Sequence, residues 1–240
     1  MKLTIADDYQ QYADFLNRIP TLFEQGEGTL LYKQRNEVRQ MEHAGRTFVV
    51  KRYKRVNAIQ QVVYTFFRKT KAERAFLYAQ EFRRRGIDTP HEVAYLETGR
   101  CGLFTVGYLV TEACYWPDTA LPLRETQDFD RPLARAVMQH VALMHQKGIL
   151  HGDLNLTNFL YNQDAYGYHF AMIDINRSHF CDGWPTDEQC LQNMVRLTHR
   201  RDLYDFLVRS YARQREWGED ATAAKAEALL DQFENRKWRF

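Results

Sequence analysis

Long apolar runs are missing from this chain: no segment approaches 18 uninterrupted apolar residues. The N-terminus, Met1-Lys2-Leu3-Thr4 running into Asp7-Asp8, also lacks the apolar core and cleavage site of a secretory leader, so a cytoplasmic protein is expected. Cysteine is scarce. Cys101, Cys114, Cys181 and Cys190 lie 13, 67 and 9 residues apart, matching neither a metal knuckle nor a disulfide framework. A dominant charge is absent too, since 33 Lys and Arg against 31 Asp and Glu leave +2, which gives no argument for nucleic acid as a partner. There is no G-x-x-x-x-G-K-[ST] run, which excludes a P-loop, and no internal repeat.

What is present suits a folded protein with a sizeable core, 45% hydrophobic and 27% charged over 240 residues. Residues 29 to 53 read as an antiparallel meander: Leu30-Leu31-Tyr32, then Glu37 to Met41, then Thr47 to Val50 after the turn at His43-Ala44-Gly45. From Lys69 to Arg85 the period becomes helical, with Ala72, Ala75, Phe76, Ala79 and Phe82 on one face and Gly86 as the stop. Strand patterns return at 91–97 and 103–112. After Tyr115-Trp116-Pro117 the chain turns mainly helical, beginning with the stripe Leu133, Val137, Val141 and Met144 between Asp130 and Gly148. The expected architecture is α+β in two lobes, residues 1–112 and 113–240.

The chemistry concentrates in His151-Gly152-Asp153-Leu154-Asn155-Leu156-Thr157-Asn158, followed by an apolar strand ending at Asp174. H-x-D-L-x-x-x-N is the spacing of a kinase catalytic loop, with Gly152 where protein kinases usually carry Arg. Phosphoryl transfer passes through a loose, highly charged transition state, so the protein must position a hydroxyl and hold magnesium on the phosphate oxygens. Asp153 is the candidate base, and the oxygens of Asn158 and Asp174 are candidate magnesium ligands. A hairpin from Phe159-Leu160-Tyr161 to residues 168–173 should return Asp174 beside Asn158. His151 is expected to brace the loop rather than move a proton.

Upstream, Val49-Val50-Lys51 resembles the strand whose lysine pairs with nucleotide phosphates and with a helix glutamate. Glu73 flanks the apolar face of the 69–85 helix, whereas Glu81 points nearly opposite, so Glu73 is the preferred partner. The turn expected to cover the nucleotide, Lys33-Gln34-Arg35-Asn36, has no glycine. There Lys33 and Arg35 would supply by charge what backbone amides supply in a glycine-rich loop.

Together with Tyr64 to Lys69, Gly86-Ile87-Asp88-Thr89-Pro90 and Asp174-Ile175-Asn176-Arg177, these residues resemble the Kdo/WaaP lipopolysaccharide kinase family over roughly residues 26 to 200. The resemblance implies a protein-kinase-like fold, ATP and Mg2+ as cofactors, and a sugar hydroxyl of the lipopolysaccharide inner core or lipid-A-linked Kdo as acceptor. It implies Lys51 on the phosphates, Asp153 as base, Asn158 and Asp174 on magnesium, and adenine between the lobes, read by the Glu112 to Cys114 connection. A peripheral contact with the cytoplasmic face of the inner membrane goes with such an acceptor. Two other readings stay open: a small-molecule kinase of the aminoglycoside or choline phosphotransferase type, and a nucleotide-binding pseudokinase. The aromatic and basic peptide Val62 to Lys69 suits a lipid surface, but the favoured expectation is that its aromatics pack inside the lobe and its cations are solvated. The tail Arg236 to Phe240 invites the same two readings.

Overall fold

The computed structural model describes residues 1–237, without the side chains of Arg236 and Lys237; the rest of the aromatic and basic tail, residues 238–240, lies outside the described residues. The chain divides into two compact units, residues 1–81 with 90–115 and residues 82–89 with 116–240.

The first unit is built on a six-stranded antiparallel sheet in the order β1-β5-β6-β4-β3-β2, with β1 Lys2–Ile5, β2 Thr29–Lys33, β3 Glu37–His43, β4 Arg46–Arg52, β5 Glu92–Arg100 and β6 Leu103–Glu112. Alternation along β4 sets its two faces. Phe48 and Val50 are fully buried against Phe15, Leu16, Ile19 and Phe23 from two short helices, α1 (Ala13–Asn17) and α2 (Ile19–Glu24). Burying each such side chain is worth about 1.5–3 kcal/mol, enough to fix the register of the strand. Tyr53, just past β4 on the opposite side, clusters with Tyr95 of β5 and with Ala72 and Phe76. Those last two belong to a helix, Lys71–Arg84, which corresponds to the one expected at 69–85. It is preceded by another helix, Ala58–Phe66, so the two are α4 and α3 respectively.

β1, α1 and α2 answer no sequence expectation, nor was α3 read as a helix. Asn57 starts α3 through a capping box: its side chain accepts from Gln60 N–H at 2.9 Å, and the Gln60 side chain accepts from Asn57 N–H at 3.4 Å.

In the second unit, α5 (Arg131–Gln146) begins as the sequence suggested, the Asp130 carboxylate accepting from Leu133 N–H at 2.9 Å. Leu133, Val137, Val141 and Met144 are all fully buried, and the helix packs on α7 (Arg201–Gln214). Gly148 ends this segment at φ +70°, where a Cβ would stand 2.1 Å from the Cys181 carbonyl oxygen, so no other residue fits. Beyond it run β7 (Ile149–Leu150), paired with β10 (His179–Phe180), and the expected hairpin of β8 (Phe159–Asp164) and β9 (Gly167–Met172). α6 (Asp187–Met194), α7 and α8 (Glu219–Lys237) complete it. Among the described residues no helix is long and apolar enough to cross a membrane.

Candidate active site

Between β7 and β8 the chain makes a tight loop organised around one carbonyl. The Asp153 oxygen accepts from Asn155 N–H at 2.9 Å, from the Asn155 amide at 3.3 Å and from the Asn158 amide at 2.7 Å. Asn155 also receives Thr157 N–H at 3.0 Å and the Thr157 hydroxyl, closing a single 3-10 turn over Leu156–Asn158. Since Asn158 donates through Nδ2, its Oδ1 is turned away from the loop as a hard oxygen donor. The fold thus converts a five-residue spacing into a fixed orientation.

His151 ties this loop to the next one. It is fully buried; its Nδ1 accepts from Asp153 N–H at 3.1 Å while Nε2–H donates to the Ile173 carbonyl at 3.0 Å. Burial holds its pKa below the ordinary value, so the ring is a neutral strut. Its carbonyl accepts from Asn193 Nδ2 at 2.7 Å, and Asn193 Oδ1 faces His145 Nε2 at 3.2 Å. His145 Nδ1 in turn lies 2.8 Å from the Tyr211 hydroxyl, which accepts from Arg215 at 2.7 Å. Donor and acceptor roles run one way from α7 to the loop, with His145 neutral and pushed down to about 4 by burial.

β8 and β9 bring the last ligand candidate into place, with Phe159 opposite Met172 and Ile173 N–H bonded to the Asn158 carbonyl at 3.0 Å. Asp174 follows directly, in the left-handed region at φ 57°, a conformation that non-glycine residues adopt mostly where the surroundings impose it. Asn176, itself buried, donates to Asp174 Oδ1 at 3.0 Å and orients it. The departure at Gly152 has its cause here: a Cβ would lie 2.1 Å from the Arg177 carbonyl oxygen, so the 175–177 turn leaves room for glycine alone. Asp174 and Asn158 offer one carboxylate and one amide oxygen, the hard ligand types that a nucleotide-bound magnesium would take. Among the described residues no group of three or more His, Cys, Asp and Glu gathers as a metal cluster of its own.

Asp153 opens onto a cavity of about 240 Å³ lined by Arg124, Arg196, His199, Arg200 and Phe233. Arg196 Nη1 stands 3.5 Å from Asp153 Oδ1, and its guanidinium lies 4.9 Å from the centre of the Phe233 ring. Arg200 is committed to Asp202 and to the carbonyls of Thr126 and Gln127, and His199 to Glu234 at 2.7 Å. Arg196 and Asn193 had no sequence signal; they reach the loop from some forty residues downstream.

In the first unit, Lys51 is the last residue but one of β4, between Val38 of β3 and Leu109 of β6, its ammonium 5.5 Å from the centre of the Tyr53 ring. Glu73, in the first turn of α4, makes its ion pair with Lys2 of β1 at 3.7 Å. Lys33 ends β2, 3.9 Å from Glu37, and Arg35 is exposed in the following turn. Glu112 pairs with Arg46 at 2.6 Å; its N–H donates to the His91 carbonyl, and Ala113 N–H donates to the Thr47 carbonyl.

Among curated proteins no sequence matches this chain. Among solved structures, WaaP in complex with acyl carrier protein is similar, with a TM-score of 0.63 at 19% identity over 100% of this chain and 99% of that one, which shows the kinase-like fold. The model of the Kdo/WaaP family matches residues 24–219, the stretch that holds the loop, the hairpin and Asp174. The chain belongs to the lipopolysaccharide kinase (Kdo/WaaP) family, and is a kinase.

Proposed function

We propose that this kinase moves the γ-phosphate of ATP onto a hydroxyl of a Kdo or heptose in the lipopolysaccharide inner core. The observation that carries this reading is the Asp153 carboxylate at the mouth of an arginine-lined cavity, on a loop braced by hydrogen bonds to the Asp153 carbonyl. Asp153 orients the acceptor hydroxyl and takes its proton. The Arg196 guanidinium beside it favours an acceptor that carries a carboxylate or phosphate near the reacting hydroxyl, as Kdo and phosphorylated core sugars do. An aminoglycoside, being cationic, is disfavoured by the same arginines.

Asn158 and Asp174 would hold Mg2+, which when bound neutralises the phosphate oxygens. Lys51 would hold the α- and β-phosphates, with Lys33 and Arg35 adding positive charge from the turn after β2. Because the N–H groups of Glu112 and Ala113 are already used, adenine recognition falls to the Glu112 carbonyl and the Cys114 N–H. Glu73 would exchange Lys2 for Lys51 when nucleotide binds. A lipid-linked acceptor places the enzyme at the cytoplasmic face of the inner membrane.

Radiolabelled ATP offered with Kdo-lipid A, heptose-containing core and an aminoglycoside tests the reading. Label should appear on one of the first two acceptors. Label on the aminoglycoside alone would contradict it.

A further inference from the structure

A helix lying on a sheet normally turns its apolar side inward. α3 also leaves an apolar face outward. The Thr65 hydroxyl accepts from Phe104 N–H of β6 at 2.9 Å, Tyr64 meets the Phe104 ring edge-on at 5.8 Å, and Gln61 donates to the Val56 carbonyl at 3.5 Å. Outward stand Ile59, Val62 and Phe66, at the i, i+3, i+7 spacing of one helix face, continued by Phe67; they are 77%, 41%, 67% and 81% exposed. None of the nine residues of α3 is buried.

The charge around this ridge has one sign. Exposed Lys54 and Arg55 precede α3, and exposed Arg68 and Lys69 follow it. No Asp or Glu occurs between Glu42 and Glu73, a stretch that holds eight Lys and Arg. We infer that α3 docks this kinase on the headgroup layer of an anionic bilayer. Ile59, Val62, Phe66 and Phe67 enter the acyl boundary, and the cations at both ends of the helix meet lipid phosphates. A convex apolar ridge with cations at each end fits a fluid surface, whereas a protein partner would have to present an acidic groove around it. The inference rests on the reading of the acceptor as lipid-linked, since a kinase for such a sugar works at the membrane face.

Co-sedimentation with phosphatidylethanolamine and phosphatidylglycerol vesicles tests it, with phosphatidylcholine vesicles as the neutral control. The protein should partition onto the anionic vesicles and release with salt. The double variant F66S/F67S should bind them at least about tenfold more weakly, and R68E/K69E likewise. Neither should lose phosphotransfer to a delipidated acceptor, because these side chains make no part of the loop or the cavity. Wild-type protein that ignores anionic vesicles at low salt, as it would if the ridge served an acidic protein, overturns the inference. So does an F66S/F67S variant that binds as well as wild type. Vesicle binding without label on any acceptor would instead count against the proposed function and leave the docking surface standing.

Discussion

The loop from His151 to Asn158 and the helix α3 have similar lengths and opposite constructions. In the loop, polar side chains point inward and are consumed: His151 is fully buried, and Asn155 and Asn158 are spent on the Asp153 carbonyl. In α3, the apolar side chains of Ile59, Val62 and Phe66 point outward, and no residue of the helix is buried. A buried polar network costs stability when any one member is removed, because its partner is left unsatisfied. An exposed apolar ridge contributes little to the fold, which frees it for a surface outside the molecule.

Acid should expose this difference most strongly. His140, packed between Phe159 and Phe170, is pushed down to about 4 by burial, as is His145. In the unfolded chain both titrate near 6.5, so between those values the unfolded state binds more protons. Stability is then complete above about pH 6.5 and falls toward pH 4, by about 3 kcal/mol for each ring. Urea midpoints recorded across that range should show the slope, to which buried His151 adds in the same direction, and His140→Leu should remove the share of its own ring. A flat profile would mean that the rings are not buried neutral.

Gly152→Ala comes next, with a loss of about 3 kcal/mol or more, because the added methyl meets backbone rather than a flexible side chain. Asn193→Ala should cost about 1–3 kcal/mol by stranding the His151 carbonyl and His145. At the other end, Phe66→Ser should change the urea midpoint by less than about 0.5 kcal/mol in free energy. A large loss there would show that α3 is held by its outer face, and the contrast would fail.

Much of the candidate site was legible because it is contiguous: an eight-residue loop spacing and an apolar strand ending in Asp174 carry its pattern. The meander, α4 and α5 were legible through their periods. β1, α1 and α2, at four to six residues each, are too short to show one. The mixture of aromatic and basic residues from Val62 to Lys69 was visible, yet the expectation that its aromatics pack inside was wrong for Phe66 and Phe67. Composition reports that apolar residues are present, while the way they face was set by Thr65 and Tyr64 engaging Phe104. Arg196 and Asn193 were invisible because tertiary packing, and no spacing, carries them to the loop.

The central claim is that Asp153 is the base of a phosphoryl transfer, and the most direct test is Asp153→Asn assayed with labelled ATP and Kdo-lipid A or heptose-containing core. The variant should keep its melting temperature and its stabilisation by ATP with magnesium, while turnover drops by about a hundredfold or more. Turnover equal to wild type would contradict the account.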